Sequence, residues 1–246
     1  MTPKAIVFDL DDTLTESKQP LDAEMAMLLE QLLEKYFVGV MSGGSFEQYQ
    51  KQFISHLPPA AKFDHLFVLP TSGGSLYTYE NKEWHKQYQT MFSEEEAKHI
   101  LSMLEKACAH FNIALETDHG KTIENRGSQI TISPLGQQAP LELKRPWDPD
   151  QKKRKEMVHY LSMLIPDCTM TIGGMTSIDI TPPGVDKAYG VLQASQALNI
   201  PVADMIYIGD KLEEGGNDYP VRKSGIKCIE TKDVAETKTL IRGYLK

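Results

Sequence analysis

The sequence predicts an α/β fold: a parallel sheet covered by helices, interrupted by an inserted α+β unit. Three observations predict it. The first 70 residues alternate strand and helix patterns. After residue 70 the pattern changes to hairpin-like and antiparallel segments. From Lys187 the alternation returns and continues to the end. One domain built from 1–82 and 187–246, with a second domain at 83–186, accounts for all three.

Lys4 to Asp9 reads K-A-I-V-F-D, a short apolar run ending in an acid. A buried parallel strand whose carboxyl end carries function looks like this. Residues 21–36 place Met25, Leu28, Leu29, Leu32, Leu33 and Tyr36 on one helical stripe, and Met27 is read with that core. Phe37 to Met41 is a second strand, closed by Ser42-Gly43-Gly44-Ser45, and Leu66 to Leu69 a third. Ser75 to Lys86 suggests a hairpin around Asn81. Ser93 and Glu96 fit a capping box, and the helix behind it buries Ala97, Ile100, Leu101, Leu104 and Phe111. Alternation at Ile130 and Ile132 predicts antiparallel strands. Asp148-Pro149 reads as an N-cap with proline in the first helical position, before a helix carrying Met157, Leu161 and Leu164. Thr169 to Thr181 holds two strands broken at Gly173-Gly174, so the middle block amounts to about two helices and four strands. Beyond Lys187 come a helix through Leu192 and Leu198, strands at Met205–Asp210 and Lys227–Glu230, and a last helix with Val234, Leu240, Ile241 and Tyr244.

Of 246 residues, 34 are acidic and 26 basic, a formal charge of −8 that disfavours nonspecific nucleic-acid binding. No apolar run is long enough for a membrane span, and Met1-Thr2-Pro3-Lys4 begins no signal-peptide core, so a cytoplasmic location is expected. Cys108, Cys168 and Cys228 lack metal-site spacing and read as reduced thiols. The charge is uneven: residues 121–155 hold eight basic against four acidic side chains. The run Lys152-Lys153-Arg154-Lys155 reads as a solvated helix face.

Four motifs carry chemistry. Asp9-Leu10-Asp11-Asp12-Thr13 puts two carboxylates at i and i+2 just past a strand. If the chain stays extended, both leave toward the crevice beyond the sheet. Close carboxylates want a cation, and Mg²⁺ takes one or two of them beside a substrate phosphate. One can act as nucleophile while the other manages a proton. The same letters also occur in a plain acidic turn. Ser42, Gly43 and Gly44 offer a hydroxyl and exposed N–H groups to an anion, or simply form a turn. Lys187 stands at a predicted helix start, where the dipole disfavours a cation unless an anion is near. Gly209-Asp210-Lys211 precedes Gly215-Gly216-Asn217-Asp218; Asp210 can close a metal shell and Asp218 can orient its neighbours. The four motifs fall at or beside predicted strand ends in one order, which is more specific than any one alone.

At this point the sequence resembles the haloacid dehalogenase superfamily of aspartate-nucleophile phosphotransferases, and its inserted cap resembles the sugar-phosphatase branch. Within that branch it is most similar to the eukaryotic-type phosphomannomutases. The similarity runs through V-G-V-M-S-G-G-S-F-E, I-E-N-R, I-S-P-L-G, I-G-G-M-T-S-I-D and G-D-K-L-E-E-G-G-N-D. The resemblance implies a Rossmann-like core with Asp9 as nucleophile and Asp11 as acid/base. Mg²⁺ would be bound by Asp9, the backbone carbonyl of Asp11 and Asp210, while Ser42, Gly43 and Lys187 hold the transferring phosphoryl group. In the cap, Arg126, Ser177 and Asp179, with Lys144 or Arg145, would hold the sugar and its second phosphate. Lys18, Asn217 and Asp218 would support the site. It also implies a small sugar phosphate as partner and a homodimer through the cap.

The chain departs from the family pattern at four positions. Asp12 stands where the family has glycine, and Gln137 where it has arginine. Two further arginine positions appear as Lys18 and as Lys144 beside Arg145. Only arginine offers a bidentate fork to phosphate. The readings therefore are a phosphomannomutase-like interconversion of mannose 1-phosphate and mannose 6-phosphate, a sugar-phosphate phosphatase, or a non-catalytic sensor. Intact Asp9, Asp11, Lys187 and Asp210 argue against the sensor.

Overall fold

The computed structural model describes residues 2–246. The chain forms two compact units. One comprises the residues up to Gln89 together with Asp186–Lys246, and the other is Thr90–Val185.

In the first unit, β1 (Ala5–Asp9) is buried along its whole length. It is followed by α1 (Ala23–Leu33), β2 (Phe37–Met41), α2 (Phe46–Gln52), β3 (Leu66–Leu69), β4 (Ser75–Glu80) and β5 (Glu83–Gln89). β4 and β5 pair as a hairpin, so the first unit runs on to Gln89 rather than ending at 82. In the second unit lie α3 (Glu94–His110), β6 (Glu116–Thr117), β7 (Gly120–Lys121), β8 (Ile123–Asn125), β9 (Ile130–Ile132), α4 (Leu141–Lys144), α5 (Lys152–Leu164), β10 (Thr169–Gly173) and β11 (Ser177–Thr181). The first unit then resumes with α6 (Lys187–Ala197), β12 (Met205–Gly209), β13 (Lys227–Glu230) and α7 (Val234–Leu245).

The large sheet has the order β13-β12-β1-β2-β3-β4-β5. Its first five strands are parallel, and the β4–β5 hairpin is antiparallel. Both faces are covered, as the continuous apolar strands require. Ile6 and Phe8 pack with Met25, Leu29, Tyr49 and Ile241 on one side. Ala5 and Val7 pack with Val191 and Ala194 of α6 on the other. The stripe on α1 is buried as its spacing predicts, except that Met27 is 54% exposed and no part of the core. Gly73, at φ +87, lets the loop after β3 rest on α6; a Cβ there would lie 2.6 Å from the Gly190 Cα.

The second unit has six strands and three helices, more than the pattern suggests, because β6, β7 and α4 are too short to leave a periodic signal. Its main sheet, β10-β11-β9-β8, is antiparallel. Ile130, Ile132, Ile178 and Ile180 pack against Ile100, Leu104, Met157 and Leu161 of α3 and α5. The Ser93–Glu96 capping box is present. The expected start of α5 is corrected: the helix begins at Lys152, after Gln151 in a left-handed conformation. Asp148 still serves its N-terminus, accepting the N–H groups of Lys153 at 2.9 Å and Arg154 at 3.2 Å. Arg154 also departs from the solvated-face reading. It is buried against Asp148 and the carbonyls of Gly173 and Gly174, while its lysine neighbours are exposed. Among the described residues no helix is long and apolar enough to cross a membrane.

Candidate active site

Loops at the carboxyl ends of parallel strands build the site. Asp9 ends β1 and pairs in register with Met41, so Ser42 follows on the adjacent strand. On the other side Phe8 pairs with Ile208, which brings Gly209 and Asp210 beside the end of β1. The chain leaves β1 for β2 on one side and returns as β12 on the other, the switch point where parallel sheets open a crevice.

Asp9 is buried, and its Oδ1 accepts from the Lys187 ammonium. Lys187, the first residue of α6, is buried as well and donates to Asp218 Oδ1 at 2.5 Å and to the Tyr207 hydroxyl at 3.1 Å. Tyr207 donates to the same Asp218 oxygen at 2.7 Å, and the Lys211 N–H donates to the other at 3.2 Å. Gly209 makes room for this, because a Cβ there would collide with Asp218 and Tyr207. Burial pushes the Asp9 carboxyl well above the usual carboxylate range; Lys187 opposes the rise, and Asp218 and Asp210 add to it. Burial acts on Asp218 the same way, but Lys187 and the bonds from Tyr207 and Lys211 outweigh it and hold Asp218 ionised. Burial disfavours the Lys187 ammonium, yet Asp218 and Asp9 outweigh that and keep it protonated.

One oxygen from each of Asp9, Asp210 and Asp218 lies within 4.8 Å of the others. Asp210 Oδ1 is buried without a partner, while its Oδ2 accepts from Lys211 Nζ at 2.7 Å. Lys211 Nζ also reaches Asp12 at 3.7 Å. Crowded, desolvated carboxylates with an unpaired oxygen fit a hard divalent cation. Asp218 is already met by three donors, which leaves Asp9 and Asp210 as the better-suited ligands.

The Asp11 carboxylate lies outside this cluster. Its Oδ1 accepts the Lys18 N–H at 2.6 Å and Gln52 Nε2 at 3.2 Å. The chain is therefore not extended through the motif: it turns at Asp12, which has φ +62. Lys18 meets Asp11 through its backbone, and its residue is exposed. Ser42 Oγ accepts the Gly44 N–H at 3.2 Å, and Gly43 lies within that turn. The turn is braced from below: Ser72 and Thr71 donate their N–H groups to the carbonyls of Ser42 and Gly44, both at 2.9 Å. Both hold left-handed backbone that a β-branched threonine adopts only under strain. Asn217 Oδ1 and Thr13 Oγ1 are buried and unpartnered.

The second unit has a polar sheet face. Glu124, Thr131 and Asp179 stand in register across β8, β9 and β11. Thr131 donates to Asp179 at 2.9 Å, and Ser133 pairs with Ser177 at 2.7 Å. Arg126 donates to Glu124 through Nε at 3.0 Å and Nη2 at 2.6 Å, and to Gln137 Oε1 at 3.3 Å. Lys144 is buried with Nζ 3.5 Å from the Gln137 carbonyl, whereas Arg145 is exposed.

A family model described as eukaryotic phosphomannomutase matches residues 25–239. The chain belongs to the eukaryotic phosphomannomutase family. Phosphomannomutase of Encephalitozoon cuniculi is 29% identical over 220 residues, covering 87% of this chain and 82% of the relative. Phosphomannomutase of Galdieria sulphuraria is 30% identical over 228 residues, 89% and 85% of the two chains. Human phosphomannomutase 1 is 27% identical, over 94% of this chain and 88% of the relative. Among solved structures, C-terminally truncated IMP-nucleotidase of Plasmodium falciparum superposes with a TM-score of 0.72 at 18% identity. That match covers 100% of this chain and 72% of the other, and it shows the haloacid dehalogenase fold.

As a phosphomannomutase-family chain it is a phosphotransferase of the haloacid dehalogenase type. Of the residues the motifs single out, Asp9, Lys187, Asp210 and Asp218 meet in one buried cluster. Ser42 and Gly43 form the turn on the neighbouring strand, and Asp11 stands off on Lys18 and Gln52. Three residues of this phosphomannomutase-family site escape motif reading. Tyr207 sits in an apolar run, Gln52 ends a helix with no distinguishing pattern, and Lys211 is visible only as part of G-D-K.

Proposed function

We propose that the chain catalyses Mg²⁺-dependent phosphoryl transfer on hexose phosphates through phospho-Asp9, interconverting mannose 1-phosphate and mannose 6-phosphate. The observation that carries the reading is the buried Asp9 carboxylate held by Lys187 beside Asp210. A carboxylate kept out of water at a strand end, next to a fixed cation, suits in-line attack on phosphorus.

The Asp9 oxygen attacks phosphorus, and the bond from phosphorus to the sugar oxygen breaks. Asp11 gives a proton to that leaving oxygen. When the donor is a hexose bisphosphate, the free hydroxyl of the resulting monophosphate, bound in its other orientation, returns a proton to Asp11 and attacks phosphorus, which frees Asp9 and re-forms a bisphosphate. Lys187 and the N–H groups of the Ser42–Gly43 turn neutralise the phosphoryl oxygens, where most of the barrier is lowered. Asp9, Asp210 and the Asp11 backbone carbonyl would hold Mg²⁺, which when bound supplies further positive charge to those oxygens. Asp218, Tyr207 and Asn217 support Lys187 and the loop after β12. The inserted unit serves as a specificity cap, with Arg126, Lys144, Ser177 and Asp179 holding the sugar and its second phosphate. Family membership also supports a homodimer through that unit.

The test is ³¹P NMR of mannose 1-phosphate with Mg²⁺, with and without a hexose bisphosphate. Mannose 6-phosphate is the expected product. Inorganic phosphate as the sole product would replace the mutase with a phosphatase, and no turnover over a panel of sugar phosphates would remove the enzyme reading.

A further inference from the structure

We infer that Gln137 sets how strongly the second unit holds the distal phosphate of a hexose bisphosphate, and that this chain holds it weakly. The inference rests on the proposed action on hexose phosphates and concerns the polar sheet face.

Arg126 is not an unopposed cation there. Two of its nitrogens are committed to Glu124, and its side chain is 7% exposed. The same guanidinium donates to Gln137 Oε1, so the amide turns its acceptor to Arg126 and its donor elsewhere. That donor, Nε2, is buried and has no partner. A buried donor without an acceptor costs free energy that a ligand oxygen relieves. A neutral amide N–H serves a sugar hydroxyl and a phosphate oxygen alike. It adds no charge to favour the phosphate.

The charged side chains that touch Gln137 are Arg126 and Lys144; Glu124 pairs with Arg126, and Asp179 stands in the same cross-strand row as Glu124. No more than a single net positive charge there leaves a dianionic phosphate undercompensated, whereas a hydroxyl or a monoanion suits it. A third cation at residue 137 would redress the balance. In a cycle that passes through a bisphosphate, weak retention lets that species exchange with solvent. Turnover then depends on bisphosphate supplied from outside.

The experiment compares mannose 1-phosphate and mannose 1,6-bisphosphate binding by calorimetry with Mg²⁺ present. It uses the Asp9→Asn chain, which binds without turnover, with residue 137 as glutamine, arginine (Gln137→Arg) or lysine (Gln137→Lys). With glutamine, the bisphosphate binds less than ~10-fold more tightly than the monophosphate; the arginine and lysine variants raise that ratio by ~10-fold, as a charge-assisted bond of this kind does. Activation curves for the same substitutions, with Asp9 intact, show a matching fall in the bisphosphate concentration needed. A ratio above ~100-fold with glutamine overturns the inference, and so does a ratio that neither substitution moves. If both variants fail to fold, the ratio with glutamine decides alone. Binding of neither ligand overturns this inference and the proposed function together. The expected ratios with no mannose 6-phosphate formed overturn only the function.

Discussion

Tyr207 carries a hydroxyl into the run M-I-Y-I-G, where every neighbour is plain core. It lies between Lys187 and Asp218, and burial, with Asp218 and Asp9 adding to it, pushes its phenol well above the usual range, so it remains a donor. Tyr207→Phe leaves the buried Asp218 one donor short. The expected cost is ~1.5–3 kcal/mol in denaturant unfolding, the range for a hydrogen bond to a charged group, together with a lower kcat. A change under ~0.5 kcal/mol would mean the hydroxyl is idle. Asp9→Asn is expected to abolish turnover of every substrate while the fold persists; retained activity would move the nucleophile elsewhere. Asp9, Asp11 and Asp210 are legible in the sequence because charged groups at strand ends have little structural use there, and Lys187 because a cation at a helix start is disfavoured unless an anion is near. Tyr207 and Gln52 are not, because a tyrosine in a core strand and a glutamine closing a helix are ordinary.

Helix α5 shows what element-level reading captures and what it misses. Asp148 is not the N-cap and Pro149 lies outside the helix, yet Asp148 does accept N–H groups of its first turn, from Lys153 and Arg154. The helix begins only at Lys152, after the left-handed Gln151, and Asp148 also pairs with Arg154 at 2.8 Å. A basic run on a helix resembles a solvated face, and only packing reveals that Arg154 turns inward. Burial tends to raise the Asp148 carboxyl, but the bonds from Arg154 and Lys153 outweigh it and hold it below the usual range. A depressed carboxyl stabilises the fold above the unfolded value of about 3.9 and loses that contribution as pH falls through its folded value. Asp148→Asn is therefore expected to cost ~3 kcal/mol at neutral pH, as removal of one buried ion-pair partner does. The gap from the unmutated chain should shrink toward pH 2, where both lack the charge. Equal gaps at both pH values, by urea unfolding, would deny the ion pair its role.

At the scale of the molecule, the sheet order places Asp9 and Asp210 on adjacent strands at the switch point. A cation bound there stabilises only the folded chain. Mg²⁺ at ~100 times its Kd is expected to add ~2.7 kcal/mol and raise the melting temperature, an effect that Asp210→Asn should remove. A melting temperature indifferent to Mg²⁺ would take the metal out of the cluster. The sequence by itself determined the alternating strands and helices, the presence of an α+β block between them, and the four motifs at strand ends and a helix start. These are local matters, written in burial periodicity and in the neighbours of each acid. The tertiary structure alone decided that Lys187 spans two carboxylates, one of them 178 residues away in the chain. It also decided that Asp11 stands apart, that Lys144 rather than Arg145 turns to Gln137, and that β5 joins the large sheet. Such pairings depend on which elements pack together, and side-chain type constrains that far less than it constrains local conformation.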